Sequence, residues 1–133
     1  MKLFPLDELC NPTLDPGRIE GHILAYRQWL PNPLQTVGAR LTDDAMNPIL
    51  PSGSIVAVDR SINDPMELRG RIVAACPDGV PMIRWLDVSG RHMILRPNQG
   101  GHEFPLVPVE MGEDEPNVVI GQVVWSWSRF SES

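Results

Sequence analysis

Proline and glycine punctuate this chain so closely that long helices have little room to form. Among its 133 residues, 14 are Pro and 11 are Gly. Proline inside a helix removes a hydrogen bond and clashes with the preceding turn, while glycine carries backbone entropy that a helix must freeze out. Short runs of β-branched and other apolar residues lie between these breakers, a texture of turns and short strands. The length fits one domain able to bury a sizeable core.

The candidate strands are Thr36 to Leu41, Ser54 to Asp59, Arg71 to Cys76, Val80 to Leu86, Arg91 to Arg96, Phe104 to Val109 and Val118 to Phe130. In the second of these, Ile55, Ala57 and Asp59 fall on one face and Val56 and Val58 on the other. Pro77-Asp78-Gly79 separates two runs as a hairpin turn would, and Asp87-Val88-Ser89-Gly90 gives a second such signal. The expected class is mainly β, built of several coiled, partly barrel-like antiparallel sheets. Residues 36–133 form the expected compact body.

Residues 1–35 read differently. Pro5, Pro12, Pro16, Gly17, Gly21, Pro31 and Pro33 interrupt them, and only Ile19 to Leu30 has room for a short helix or strand. They are expected to form an N-terminal arm or linker. The alternative is a lobe packed on the body through Tyr26, Trp29 and Leu30.

Composition narrows the partners. Apolar residues make up 42% and charged ones 21%, an ordinary globular balance, with a net charge of -6 and a pI of about 4.9. Such a surface repels phosphate backbones, so direct nucleic-acid binding by this chain is not expected. The opening residues lack the charge pattern and apolar stretch of a signal peptide, and no run is long enough to span a membrane. A soluble, cytoplasmic protein is expected. Cys10 and Cys76 are then expected to be reduced, with a single disulfide as the alternative.

The segment Asp43-Asp44-Ala45-Met46-Asn47-Pro48-Ile49-Leu50-Pro51-Ser52-Gly53-Ser54-Ile55-Val56 carries the most specific pattern. It resembles the Gly-Asp-Ser-Met-like box of the C-terminal domains of LexA, the lambda CI-type repressors and the UmuD-like proteins. Met46, Pro48, Leu50, Gly53 and Val56 fall on that pattern. Asp43 replaces its glycine, Ala45 its serine and Ser54 its later aspartate. Downstream, Ile83-Arg84-Trp85-Leu86 is similar to the family's Val-Lys-Arg-Leu strand, with Arg84 at the lysine position. Ile94-Leu95-Arg96-Pro97-Asn98 and Ile120-Gly121-Gln122-Val123-Val124 resemble its Leu-x-x-x-Asn and Gly-x-Val-Val segments. The resemblance implies a LexA-like, signal-peptidase-like fold and a Ser-Lys dyad in which both members are replaced.

That double replacement bears directly on chemistry. A Ser-Lys dyad needs a hydroxyl to attack and a neutral amine to take its proton. Alanine offers no nucleophile, and a guanidinium stays protonated in proteins. Lys2 is the only lysine, and it lies far from these segments in sequence. Relatives cut themselves at an Ala-Gly or Cys-Gly bond, and neither dipeptide occurs here. A pseudo-peptidase with vestigial positions Ala45 and Arg84 is therefore expected, with Asp44, Met46 and Pro48 around the vestigial cleft.

Other chemistry-bearing residues read more plainly. Ser52 and Ser54 are turn and strand residues without an evident base. Asp43 and Asp44 suit turn capping, although an Asp44–Arg84 ion pair would satisfy an inward-facing arginine. His22, His92 and His102 lack metal-ligand spacing, so neither a metal nor a cofactor is expected. Val123, Trp125 and Trp127 share one face of the last strand. Trp125 and Trp127 are candidates for core packing or for a subunit interface.

The resemblance implies the regulatory and dimerisation domain of a transcriptional repressor, expected as a homodimer without self-cleavage. DNA would be reached only through a separate helix-turn-helix domain not in this chain. Two alternatives stay open. One is a LexA-type serine peptidase in an inactive Ser-to-Ala form; the other is a module whose cleft senses a small ligand. Contact with a RecA filament is a further partner that the residues do not decide.

Overall fold

The structure is a computed structural model, and it describes residues 1–99, 103–112 and 118–128. Nine strands follow in chain order: β1 (Lys2–Phe4), β2 (Gly21–His22), β3 (Thr36–Arg40), β4 (Ile55–Asp59), β5 (Ile72–Ala75), β6 (Met82–Ser89), β7 (His92–Arg96), β8 (Val107–Glu110) and β9 (Val119–Trp127). The helical elements among the described residues are single 3-10 turns, as the density of breakers requires. The mainly β class is as expected. The expectation of several partly barrel-like sheets is corrected, because all nine strands join one open sheet ordered β2-β1-β3-β4-β9-β5-β6-β7-β8. The sheet is mixed: β1 runs parallel to β3, while the other pairs are antiparallel.

Both hairpin signals mark real reversals, but Asp87, Val88 and Ser89 of the second are corrected to strand residues of β6, which leaves Gly90 at the turn. Asp78 (φ 51) and Gly79 (φ 78) reverse the chain between β5 and β6, and Gly90 (φ 59) does so between β6 and β7. These left-handed conformations explain why Asp and Gly occupy the turns.

Two apolar clusters use the period-two alternation of the strands. From β5 and β6, Ile72, Ala74, Ile83 and Trp85 belong to one, with Phe4, Leu9, Met46, Val56 and Val58. Val73, Ala75, Met82 and Leu86 belong to the other, with Leu68, Met93, Leu95 and Val119. The middle of the sheet is thus covered on both sides, and its strands read as nearly continuous apolar runs.

Strand β9 sits in the interior of the sheet, paired with β4 on one side and β5 on the other. The register shifts between Ala57 and Val58 on the first side and between Ala74 and Ala75 on the second. Here Gly121 approaches β4 so closely that a Cβ would run into the carbonyl oxygen of Asp59. A glycine is needed because nothing larger fits.

The first 35 residues pack onto this sheet. β1 pairs with β3, and Leu3, Phe4, Leu6, Leu9 and Leu30 are buried. Glu8, also buried, accepts hydrogen bonds from the Asp15 backbone N–H (3.0 Å), Arg18 Nη1 (3.2 Å) and Asn11 Nδ2 (3.2 Å). Trp29 stacks on Trp125, while Tyr26 and Leu30 flank it with quite different exposures, 60% and 7%.

The cysteine expectation is corrected. Cys10 and Cys76 form a disulfide, with Cα atoms 5.7 Å apart across a sequence separation of 66 residues. Spacing along the chain could not reveal this. The packing of the Leu6–Cys10 turn beside the β5–β6 turn brings the two sulfurs together. Among the described residues, no helix is long and apolar enough to cross a membrane.

Candidate functional site

The candidate site is the loop joining β3 to β4, residues 41–54, where it meets β6. Its base is closed by two backbone bonds: Leu41 N–H to Ser54 O (2.8 Å) and Gly53 N–H to Leu41 O (2.8 Å). Inside, Asp43 Oδ1 accepts from the Ala45 N–H (3.2 Å), and Asp44 O accepts from the Asn47 N–H (3.1 Å). An aspartate accepting from a backbone N–H two residues on makes a local turn, which suits these residue types. Leu50 N–H donates to Met46 O (2.9 Å), and the Met46 and Leu50 side chains anchor the loop in the first apolar cluster.

The loop is fastened a second time by Asn98. Its N–H and that of Gln99 donate to Ala45 O (2.8 and 3.2 Å). Its side-chain Nδ2 donates to Asn47 O (2.8 Å), and its Oδ1 accepts from Trp85 Nε1 (3.2 Å). One asparagine therefore couples the loop to β6 through both ends of its amide. The Leu-x-x-x-Asn resemblance contained this residue, but its partners are set by the return of the chain after β7.

Arg84, on β6, is only 6% exposed. Its Nη2 lies 3.2 Å from Asp43 Oδ2, and Nη1 donates to Ile83 O (2.8 Å). Its guanidinium carbon stands 5.8 Å from the centre of the Phe104 ring. Arg84 Nε is buried and has no hydrogen-bond partner among the described residues. A charge this far from water requires a counter-charge, and Asp43 supplies it.

The Asp44–Arg84 pair, the alternative to turn capping by these aspartates, is corrected to Asp43–Arg84. Asp44 is exposed, whereas Asp43 is half-buried and turned back toward Ala45 and Arg84. Asp43 caps the Ala45 N–H two residues on, a local contact, but only the meeting of the loop with β6 decides which aspartate Arg84 reaches.

The remaining sequence candidates are dispersed. Ala45 and Met46 are fully buried, and Pro48, after a cis peptide bond, is exposed. Ser54 is buried with its Oγ 3.2 Å from that of Ser128, and Ser52 is exposed. Lys2 lies exposed on β1, His22 on β2 and His92 on β7. His102 and Phe130 lie outside the described residues. Trp125 is 39% exposed, its ring stacked on Trp29 with centroids 4.7 Å apart and planes 7° from parallel. Trp127 is half-buried, opposite Ile55 in the β4–β9 register.

The arrangement is a buried ion pair against a buried methyl group. Arginine holds its proton throughout the accessible pH range, and alanine has no lone pair with which to attack. Asp43 is already engaged by the Ala45 N–H and by Arg84. These contacts fix the position of a loop.

No curated protein sequence matches the chain. A family model described as Peptidase S24-like matches residues 10–124, which takes in β2 to β8, the first part of β9, the 41–54 loop and Arg84. With most of its length matched, the chain belongs to the Peptidase S24-like family, that of LexA, UmuD and CI.

Proposed function

We propose that this chain is the regulatory and dimerisation domain of a LexA/CI-type transcriptional regulator, and that it does not cleave itself. The observation that carries this reading is the Arg84–Asp43 ion pair beside the buried Ala45. On the family resemblance these positions would hold the base and the nucleophile. Here an arginine and an alanine meet a carboxylate, a set that stabilises the loop and offers neither half of a Ser-Lys reaction. Two copies of the domain would hold two DNA-reading modules together, so that the second DNA contact becomes effectively intramolecular. The exposed Trp125 and half-buried Trp127 are the residues assigned to the contact between copies. A face-to-face contact is required for β9, because both of its edges are already paired within the sheet.

Two measurements test the proposal. Light scattering across a dilution series is expected to show a dimer persisting to low micromolar concentration; a monomer throughout would remove the assembly role. Ala45→Ser alone is expected to give no self-cleavage at alkaline pH, since Arg84 still cannot accept a proton. Cleavage by that single variant would overturn the non-cleaving reading.

A further inference from the structure

We propose that a cavity opening beside β1 and β2, away from the 41–54 loop, binds a small amphipathic carboxylate such as a free medium-chain fatty acid. The cavity has a volume of about 500 Å³, within the size range of small-molecule sites. Phe4, Leu14, Ile19 and Val37 line it and belong to or pack against the first apolar cluster. Leu34 also lines it while remaining 95% exposed. An occupant would therefore cover apolar surface that the fold itself leaves in water.

The charge at the cavity gives the class of ligand. Lys2 and His22 both line it, and they are direct cross-strand partners in the β1–β2 pair. Such partners project on one face with Cβ atoms about 4.5–5.5 Å apart. Lys2 and Phe4 share that face by strand alternation, so the lysine stem and the buried ring address the same space. No acidic residue is among the described residues lining the cavity, and no carboxylate pairs with Lys2 or His22 among the described residues. The only lysine of a chain with net charge -6 is thus left unneutralised beside an apolar cavity. A carboxylate at Lys2 and His22, with its chain laid toward Leu14 and Val37, matches both halves of the site. The chain's net charge of -6 disfavours the face of an anionic bilayer as the occupant.

The test is an NMR titration of the whole chain with decanoate, with decanol as the uncharged control. Decanoate is expected to shift the Leu14, Ile19 and Val37 methyl signals together with the His22 ring signals. Lys2→Gln, a change at an exposed position, is expected to weaken decanoate binding roughly fivefold and leave decanol binding unchanged. Equal affinity for decanol and decanoate in the unmodified chain would overturn the carboxylate assignment. Absence of shifts in these residues, or shifts confined to other parts of the sheet, would overturn the site. Co-sedimentation with phosphatidylglycerol vesicles without any response to decanoate would assign the face to a membrane surface and likewise overturn the proposal.

Discussion

Arg84 Nη2 and Asp43 Oδ2 lie 3.2 Å apart, with the arginine side chain 7% exposed and the aspartate 32%. The pair joins β6 to the 41–54 loop at the position where the family resemblance would place a catalytic base. Its unequal burial decides its energetics. Arg84 cannot recover water if its partner is removed, whereas Asp43 partly can.

Asp43→Ala is therefore expected to destabilise the fold by about 1–3 kcal/mol, mostly through the stranded guanidinium. Arg84→Met should cost less in the Asp43→Ala background than alone, because the two losses share one interaction. Urea unfolding of the two single variants and the double variant measures the coupling; additive losses would show that the pair contributes nothing.

Asn98→Ala removes the bonds to Asn47 O and Trp85 Nε1 and leaves both groups to find new partners. A loss of about 1–3 kcal/mol is expected from the unsatisfied polar groups. Hydrogen exchange should quicken first at Ala45 and Asn47, whose N–H groups lie within the fastened loop. Uniform quickening across all strands would place the effect elsewhere.

The Cys10–Cys76 bond closes a long loop and ties the N-terminal residues to the β5–β6 turn. Replacing both cysteines by serine is expected to lower stability by about 2–4 kcal/mol, chiefly by freeing the unfolded chain. Thermal unfolding with and without reductant gives the comparison: the unmodified chain should become less stable on reduction, and the double-serine variant should not respond.

Gly121→Ala places a methyl group against the Asp59 carbonyl, a contact with backbone that no rotamer change can relieve. Overpacking of this kind costs roughly 1–3 kcal/mol. A variant as stable as the parent would mean that β4 and β9 can separate locally beside the irregularity at Ala57 and Val58.

The local elements were legible in the sequence because their causes are local. Turn chemistry at Asp78-Gly79 and at Gly90, with alternating apolar residues on either side, located β5, β6 and β7 to within a few residues. The order of motifs from Met46 to Val124 also carried the family, since each motif answers a nearby packing or turn requirement. The sequence by itself thus determined a mainly β chain of short strands, with alanine and arginine at Ala45 and Arg84.

Tertiary structure alone decided the rest. Three-residue β1 is too short to announce itself, and it exists as a strand because β3 lies beside it. The placement of β9 between β4 and β5 depends on which edges the earlier strands leave unpaired. The disulfide partner of Cys10 and the choice of Asp43 over Asp44 for Arg84 are equally nonlocal. Each depends on where two separate segments meet, and residue spacing does not record that. The cavity of Lys2 and His22 has the same origin: the β1–β2 register set two basic side chains opposite each other above an apolar floor drawn from several segments.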